Sequence, residues 1–122
     1  MKFTLDQPGR VNVVASHRRG ELRVGERVVV SSAIVTADRL LEDWPVGDAA
    51  ALSPERLEDV LSLEPEIVIL GTGERQVFPE PSLFAAVAGR GVGLEVMDNG
   101  AACRTYNVLL AEGRRVALAI IL

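Results

Sequence analysis

Aromatic side chains are scarce: one tryptophan, one tyrosine and three phenylalanines in 122 residues. A core must therefore be assembled from Val, Leu, Ile and Ala. Only one cysteine is present, Cys103, which excludes an intrachain disulfide and agrees with a reducing interior. With a single histidine, His17, beside it in the composition, the chain cannot furnish a structural zinc site. No apolar run approaches the roughly 18 residues of a membrane span. The opening MKFTLDQPGR lacks both the apolar stretch of a signal peptide and the basic, acid-poor character of a transit peptide. A cytoplasmic location is the expectation. Missing too is a basic excess: Lys+Arg number 13 against 17 Asp+Glu, a net charge of −4. Nucleic-acid phosphates attract the opposite balance, so that class of partner is not expected.

What remains is ordinary globular composition, 48% apolar and 25% charged. The length suits one domain over residues 1–122. Its two halves differ in rhythm. Residues 11–15, 21–24 and 27–31 are short, valine-rich runs punctuated by Gly20 and Gly25, which predicts an antiparallel β-ribbon with a tight turn near Gly25. Residues 33–37 read as a further strand. Residues 38–52 then read as a long connection carrying Trp44.

The second half alternates helix and strand. Ser53-Pro54-Glu55 is a cap followed by proline at the first helical position, with Leu52 and Leu57 placed as a hydrophobic staple. Leu57, Val60 and Leu61 supply the i, i+3, i+4 stripe of a helix running to about Leu63. The continuous run Ile67–Leu70 predicts a strand covered on both faces. A short helix over 81–88, a strand over 92–97, a helix over 101–112 and a last strand over 116–122 follow. The expected fold is α/β with three layers: a mixed central β-sheet flanked by helices, with the N-terminal antiparallel β-ribbon beside it.

Chemistry is most concentrated where strands give way to helices. Gly71-Thr72-Gly73 leaves a buried strand, and its glycines permit either a plain tight turn or close backbone approach by a ligand. The full dinucleotide fingerprint fails, because the third glycine and a directly following helix are absent. Asp98 or Asn99 can cap the next helix, whose positive end attracts anions. Arg104, expected in its first turn, is electrostatically misplaced there unless something negative compensates. An internal partner such as Asp98, Glu74 or a carbonyl is favoured, with a bound phosphate or carboxylate as the alternative. Thr105 and Asn107 are expected to cap or to bond a neighbouring loop. Parallel strands at 67–70 and 92–97 would bring both turns to one sheet edge.

Cys103 has the setting of an activated thiol, near a helix start and an arginine. Its spacing points elsewhere. Cys103, Tyr106 and Leu110 follow i, i+3, i+7, with Ala102 and Leu109 on the same stripe, so the thiol is expected to face the core. His17 lies far off in a Ser-His-Arg-Arg-Gly turn, and a Cys–His pair is not expected.

The runs Pro65–Gly73, Gly93–Asp98, Ala101–Leu109 and Glu112–Val116 together resemble the Mth-type domain family of unknown function. The resemblance extends over essentially the whole chain and includes the Gly20–Gly25 ribbon and Trp44. Asn99 stands where threonine is expected. The family's eukaryotic relatives include the mitochondrial respiratory complex I assembly factor 3 and an adipogenesis-associated protein. What the resemblance implies is a three-layer α/β fold, an assembly role with protein partners for the mitochondrial relative, and no catalytic residues to carry over. The resulting expectation is a non-catalytic protein-binding module without cofactor or metal, with a homodimer left open. The alternative is a binder of, or weak enzyme on, a small anion at Gly71, Thr72, Gly73, Asp98, Asn99, Arg104, Thr105 and Asn107.

Overall fold

The computed structural model describes residues 11–122 and, for residues 2–5, the backbone. Nine strands and three α-helices follow one another in it: β1 (Lys2–Leu5), β2 (Val14–Arg18), β3 (Glu21–Val24), β4 (Arg27–Val29), β5 (Ala33–Val35), β6 (Arg39–Glu42), α1 (Pro54–Leu61), β7 (Ile67–Gly71), α2 (Pro81–Ala88), β8 (Gly93–Met97), α3 (Asn99–Ala111) and β9 (Val116–Ile120). The central sheet is mixed, in the order β1-β6-β5-β9-β7-β8. Strands β9, β7 and β8 are mutually parallel, and β5, β6 and β1 continue antiparallel from β9.

The final strand shows how one sheet serves two cores. Alternate side chains of a strand point to opposite faces. Ala117, Ala119 and Ile121 join a cluster under α1 and α2 with Trp44, Leu57, Val60, Val68, Leu70 and Val87. Val116, Leu118 and Ile120 join the opposite cluster with Leu22, Val24, Val29, Ile69, Ala102, Cys103 and Tyr106. That second cluster is roofed by α3 and by the separate ribbon β2-β3-β4. The expected three-layer arrangement is the one observed.

Local signals explain the elements that match. Ser53 caps α1 by accepting the Arg56 amide at 3.3 Å, proline occupies the first turn, and Leu52 and Leu57 are both buried in the same cluster. Three expectations need correction. The first ribbon strand lies three residues later than 11–15, because Arg18 pairs with Glu21 across a turn at Gly20, whose φ of 73° suits glycine. The stretch 38–52 contains strand β6, which is held between β5 and β1. The last helix opens at Asn99 rather than Ala101, since Asp98 is its cap and accepts the Ala101 amide at 2.9 Å.

A polar hub joins the layers. Asn12 is buried, and its side-chain amide donates to the Thr36 and Arg39 carbonyls at 3.1 and 3.0 Å. Its own carbonyl accepts the Tyr106 hydroxyl at 2.6 Å.

Candidate functional site

Because β7 and β8 run parallel, the turns that follow them open at the same carboxyl edge of the sheet. Gly71, Thr72, Gly73, Asp98 and Asn99 meet there. The Asn99 amide donates to the Gly73 carbonyl at 2.8 Å, while Asn99 Oδ1 accepts the Gly73 amide at 3.0 Å. Asn99 Nδ2 donates to the Ile121 carbonyl at 2.8 Å. One buried side chain thus ties three strand ends together. Thr72 is equally occupied: its hydroxyl donates to the Arg75 carbonyl at 2.7 Å and accepts the Val77 amide at 2.9 Å. The backbone donors that a glycine turn would offer to an anion are therefore already spent inside the chain.

Gly71 explains why the turn needs glycine. A Cβ at Gly71 would lie 2.5 Å from Asn99 Oδ1 and 3.1 Å from Ile120. The constraint is close packing.

The other predicted residues sit elsewhere. Thr105 Oγ1 donates to the Met97 sulfur at 3.3 Å. Asn107 reaches the ribbon, where its Oδ1 accepts the Val14 amide at 3.0 Å and its Nδ2 donates to the Val14 carbonyl at 2.9 Å. It acts as a partner strand one residue long, at the point where a bulge shifts the β2–β3 register. Beside this latch, a cleft of about 300 Å3 opens between β2 and α3, lined by Ser16, His17, Gly100, Cys103, Arg104 and Asn107.

Arg104 is exposed at this cleft, and the favoured internal partner is not there. The described residues hold five ion pairs, and Arg104 belongs to none of them. It is the sixth residue of α3 rather than one of the first turn, but its side chain reaches back toward the helix start. Its Nη1 lies 3.4 Å from where a Cβ on Gly100 would stand, as does Asp98 Oδ1.

His17, far from Cys103 in sequence, shares this cleft with it. The two are nonetheless not hydrogen-bonded, and His17 Nε2 is enclosed without a partner. Cys103 faces the core as its spacing predicts. Burial pushes its thiol up to about 11, with Arg104 pulling weakly the other way. A thiol held neutral is a poor nucleophile. The same burial raises the Tyr106 hydroxyl, assisted by Asp38.

The place of His17 was hidden because Ser-His-Arg-Arg-Gly reads as a surface turn, whereas the structure puts His17 in strand β2. The packing of β2 on α3 brings it to the cleft that Arg104 also lines. Two further clefts, about 360 and 340 Å3, lie at the other end of the sheet along Thr36, Asp38, Leu63, Glu64 and Arg115. They flank the amino ends of β7 and β9, away from the edge where open α/β sheets bind ligands.

Comparison with known proteins accords with the fold. A Xanthomonas campestris protein solved by NMR is 45% identical, with a TM-score of 0.85, over 95% of this chain and 88% of that one. A Bordetella pertussis protein described as a Mth938-like domain is 27% identical, with a TM-score of 0.76, over 99% and 92%. The cattle NADH dehydrogenase [ubiquinone] 1 alpha subcomplex assembly factor 3 is 35% identical over 105 residues, 84% of this chain but 56% of that protein. The chain thus spans little more than half of the assembly factor it matches. The profile of the proteins of unknown function DUF498/DUF598 matches residues 14–121, and the chain belongs to that family.

Proposed function

We propose that this chain is a non-catalytic, assembly-factor-like module that works in the cytoplasm by binding another protein. The observation that carries this reading is its 35% identity to an assembly factor across 84% of its own length. Two features of the molecule support it. Cys103, the one cysteine, is buried and held neutral, so it offers no ready nucleophile. Val77 and Phe78 expose 44% and 64% of their surface on the loop before α2, where the Phe78 ring lies 6.3 Å from that of Phe84. Adjacent exposed apolar side chains of this kind are used for protein contact. Among the described residues, no helix is long and apolar enough to cross a membrane.

The test is affinity capture of the whole chain from lysate of its own host, read by quantitative mass spectrometry. We expect one or a few proteins enriched reproducibly over a tag-only control, and their enrichment lowered severalfold by Phe78→Ser. Repeated capture with nothing enriched overturns the reading.

A further inference from the structure

We infer that β8 is the seam of a symmetric dimer, in which the edge strands of two copies of this chain pair antiparallel about Leu94 and join their central sheets into one. The inference does not depend on the assembly reading.

β8 is the outermost strand of the central sheet, with β7 on one side of it alone. Successive residues of a strand turn their N–H and C=O groups alternately to its two sides. Gly93 and Met97 turn theirs inward: the Gly93 amide donates to the Glu66 carbonyl at 3.1 Å, and the Met97 carbonyl accepts the Thr72 amide at 3.0 Å. Val92, Leu94 and Val96 therefore turn theirs outward. At each end of this edge one group is already used. The Val92 amide donates to the Val87 carbonyl at 3.3 Å, and the Val96 carbonyl accepts Gln76 Nε2 at 2.8 Å. The Val92 carbonyl, both groups of Leu94 and the Val96 amide have no partner among the described residues. An edge in this state is a template for another strand.

The strand that this pattern matches is the same edge in a second copy. With Leu94 opposite Leu94 of the other copy, each Leu94 amide meets the other's Leu94 carbonyl, and each Val96 amide meets the other's Val92 carbonyl. The bond this register leaves unmade, Val92 amide to Val96 carbonyl, joins the two groups that the chain has satisfied for itself. A neighbouring axis breaks the match. Placed at Glu95, it sets the Leu94 amide against the occupied Val96 carbonyl and the two Glu95 carboxylates against each other, a destabilising pair. Placed at Gly93, it sets the Leu94 carbonyl against the occupied Val92 amide. A strand of another protein would meet the same open groups, but the reciprocal gap at Val92 and Val96 belongs to the edge paired with itself.

The side chains agree with the same axis. Residues directly opposite in a strand pair project to the same face and touch. Val92, Leu94 and Val96 all face the α1–α2 side. The half-buried Leu94 of each copy would cover the other, and the half-buried Val92 would lie beside Val96. Glu95, the one charge on β8, is exposed and belongs to none of the ion pairs of the described residues. It falls opposite Gly93, where no side chain crowds it and water still reaches it.

The experiment is sedimentation equilibrium of the whole chain from micromolar to near-millimolar concentration, since a seam this short gives a weak dimer. The mean mass should rise from that of one chain toward twice that value. Leu94→Pro removes an outward amide without touching the ladder to β7, a place where an edge strand tolerates proline, and should hold the folded chain monomeric throughout. Disulfide trapping reads the register independently of that variant. In a Cys103→Ala background, Gly93→Cys together with Glu95→Cys should oxidise to a covalent dimer, whereas Glu95→Cys alone should yield severalfold less. A Cβ at Gly93 meets nothing nearer than Ile67 at 3.6 Å, so the fold accommodates that change. The inference is overturned if the mass stays at one chain to near-millimolar concentration, if a folded Leu94→Pro variant dimerises undiminished, or if Glu95→Cys alone links as readily as the pair.

Discussion

Gly71 and Asn99 form a matched pair in which each residue's identity depends on the other. The absent Cβ of Gly71 leaves room for Asn99 Oδ1, and that oxygen in turn satisfies the Gly73 amide. Gly71→Ala should therefore cost about 1–3 kcal/mol through overpacking. Asn99→Ala should cost about 1–3 kcal/mol by leaving the Gly73 amide and Ile121 carbonyl without partners. The double variant should lose less than the sum, because removing the oxygen removes the clash. Urea denaturation of all four proteins checks this, and strict additivity would show that the two residues do not interact. Cys103 gives a second prediction at this scale. Its folded-state pKa is raised from 9.0 to about 11, so the neutral thiol's contribution is complete below pH 9 and is lost as pH rises toward 11. Stability should fall across that window, with Tyr106 adding to the fall, and Cys103→Ala should flatten part of it. A thiol reagent at neutral pH should label the native protein far more slowly than the urea-unfolded one.

Between elements, the Asn107 side chain is the latch of the ribbon on α3. It makes two hydrogen bonds to the Val14 backbone, 93 residues away in sequence. Asn107→Ala should cost about 1–3 kcal/mol in total. The loss should be local: amide hydrogen exchange should quicken in β2 and β3 while β7 and β9 stay protected. Uniform quickening would deny that the ribbon is held this way. Legibility in the sequence also divides at this scale. β7, β9 and α1 were readable because long apolar runs and a capped, stapled start are local signals. β6 was not, since Arg39-Leu40-Leu41-Glu42 carries two charges in four residues and is a strand only through its neighbours. The site shows the same limit. Sequence placed Asp98, Asn99 and the glycine turn at one edge and turned Cys103 inward. It could not show that Asn99 takes up the Gly73 amide, nor that the β2–α3 packing brings His17 to the cleft that Arg104 lines, because both facts need contacts between distant segments.

Across the whole molecule, the central sheet is clamped at the amino ends of its neighbouring strands β7 and β9 by Glu66. Its Oε1 accepts the Arg115 amide at 2.9 Å and Arg114 Nε at 3.0 Å. The backbone bond from Arg115, then the Arg114 side chain, hold the Glu66 carboxyl below its usual 4.5. Arg90 does the same for Glu58. A lowered pKa contributes stability that is present above the ordinary carboxylate range and is lost as pH falls through the folded value. Thermal midpoints should therefore be level near neutrality and decline below about pH 4.5. Glu66→Gln should make the acid decline shallower, and an unchanged profile would remove Glu66 from the account. Both carboxylates reach solvent, so salt should soften the effect.

The position of β9 has a consequence for how the molecule comes into being. A ribosome makes β9 after every strand it joins, yet β9 lies between β5 and β7 and supplies side chains to both cores. Until it emerges, β5 and β7 have no common neighbour and neither core can close. Until then β7 lacks its link to β5 and the antiparallel half of the sheet. That interval, rather than any weakness of the finished fold, is when aggregation threatens it most.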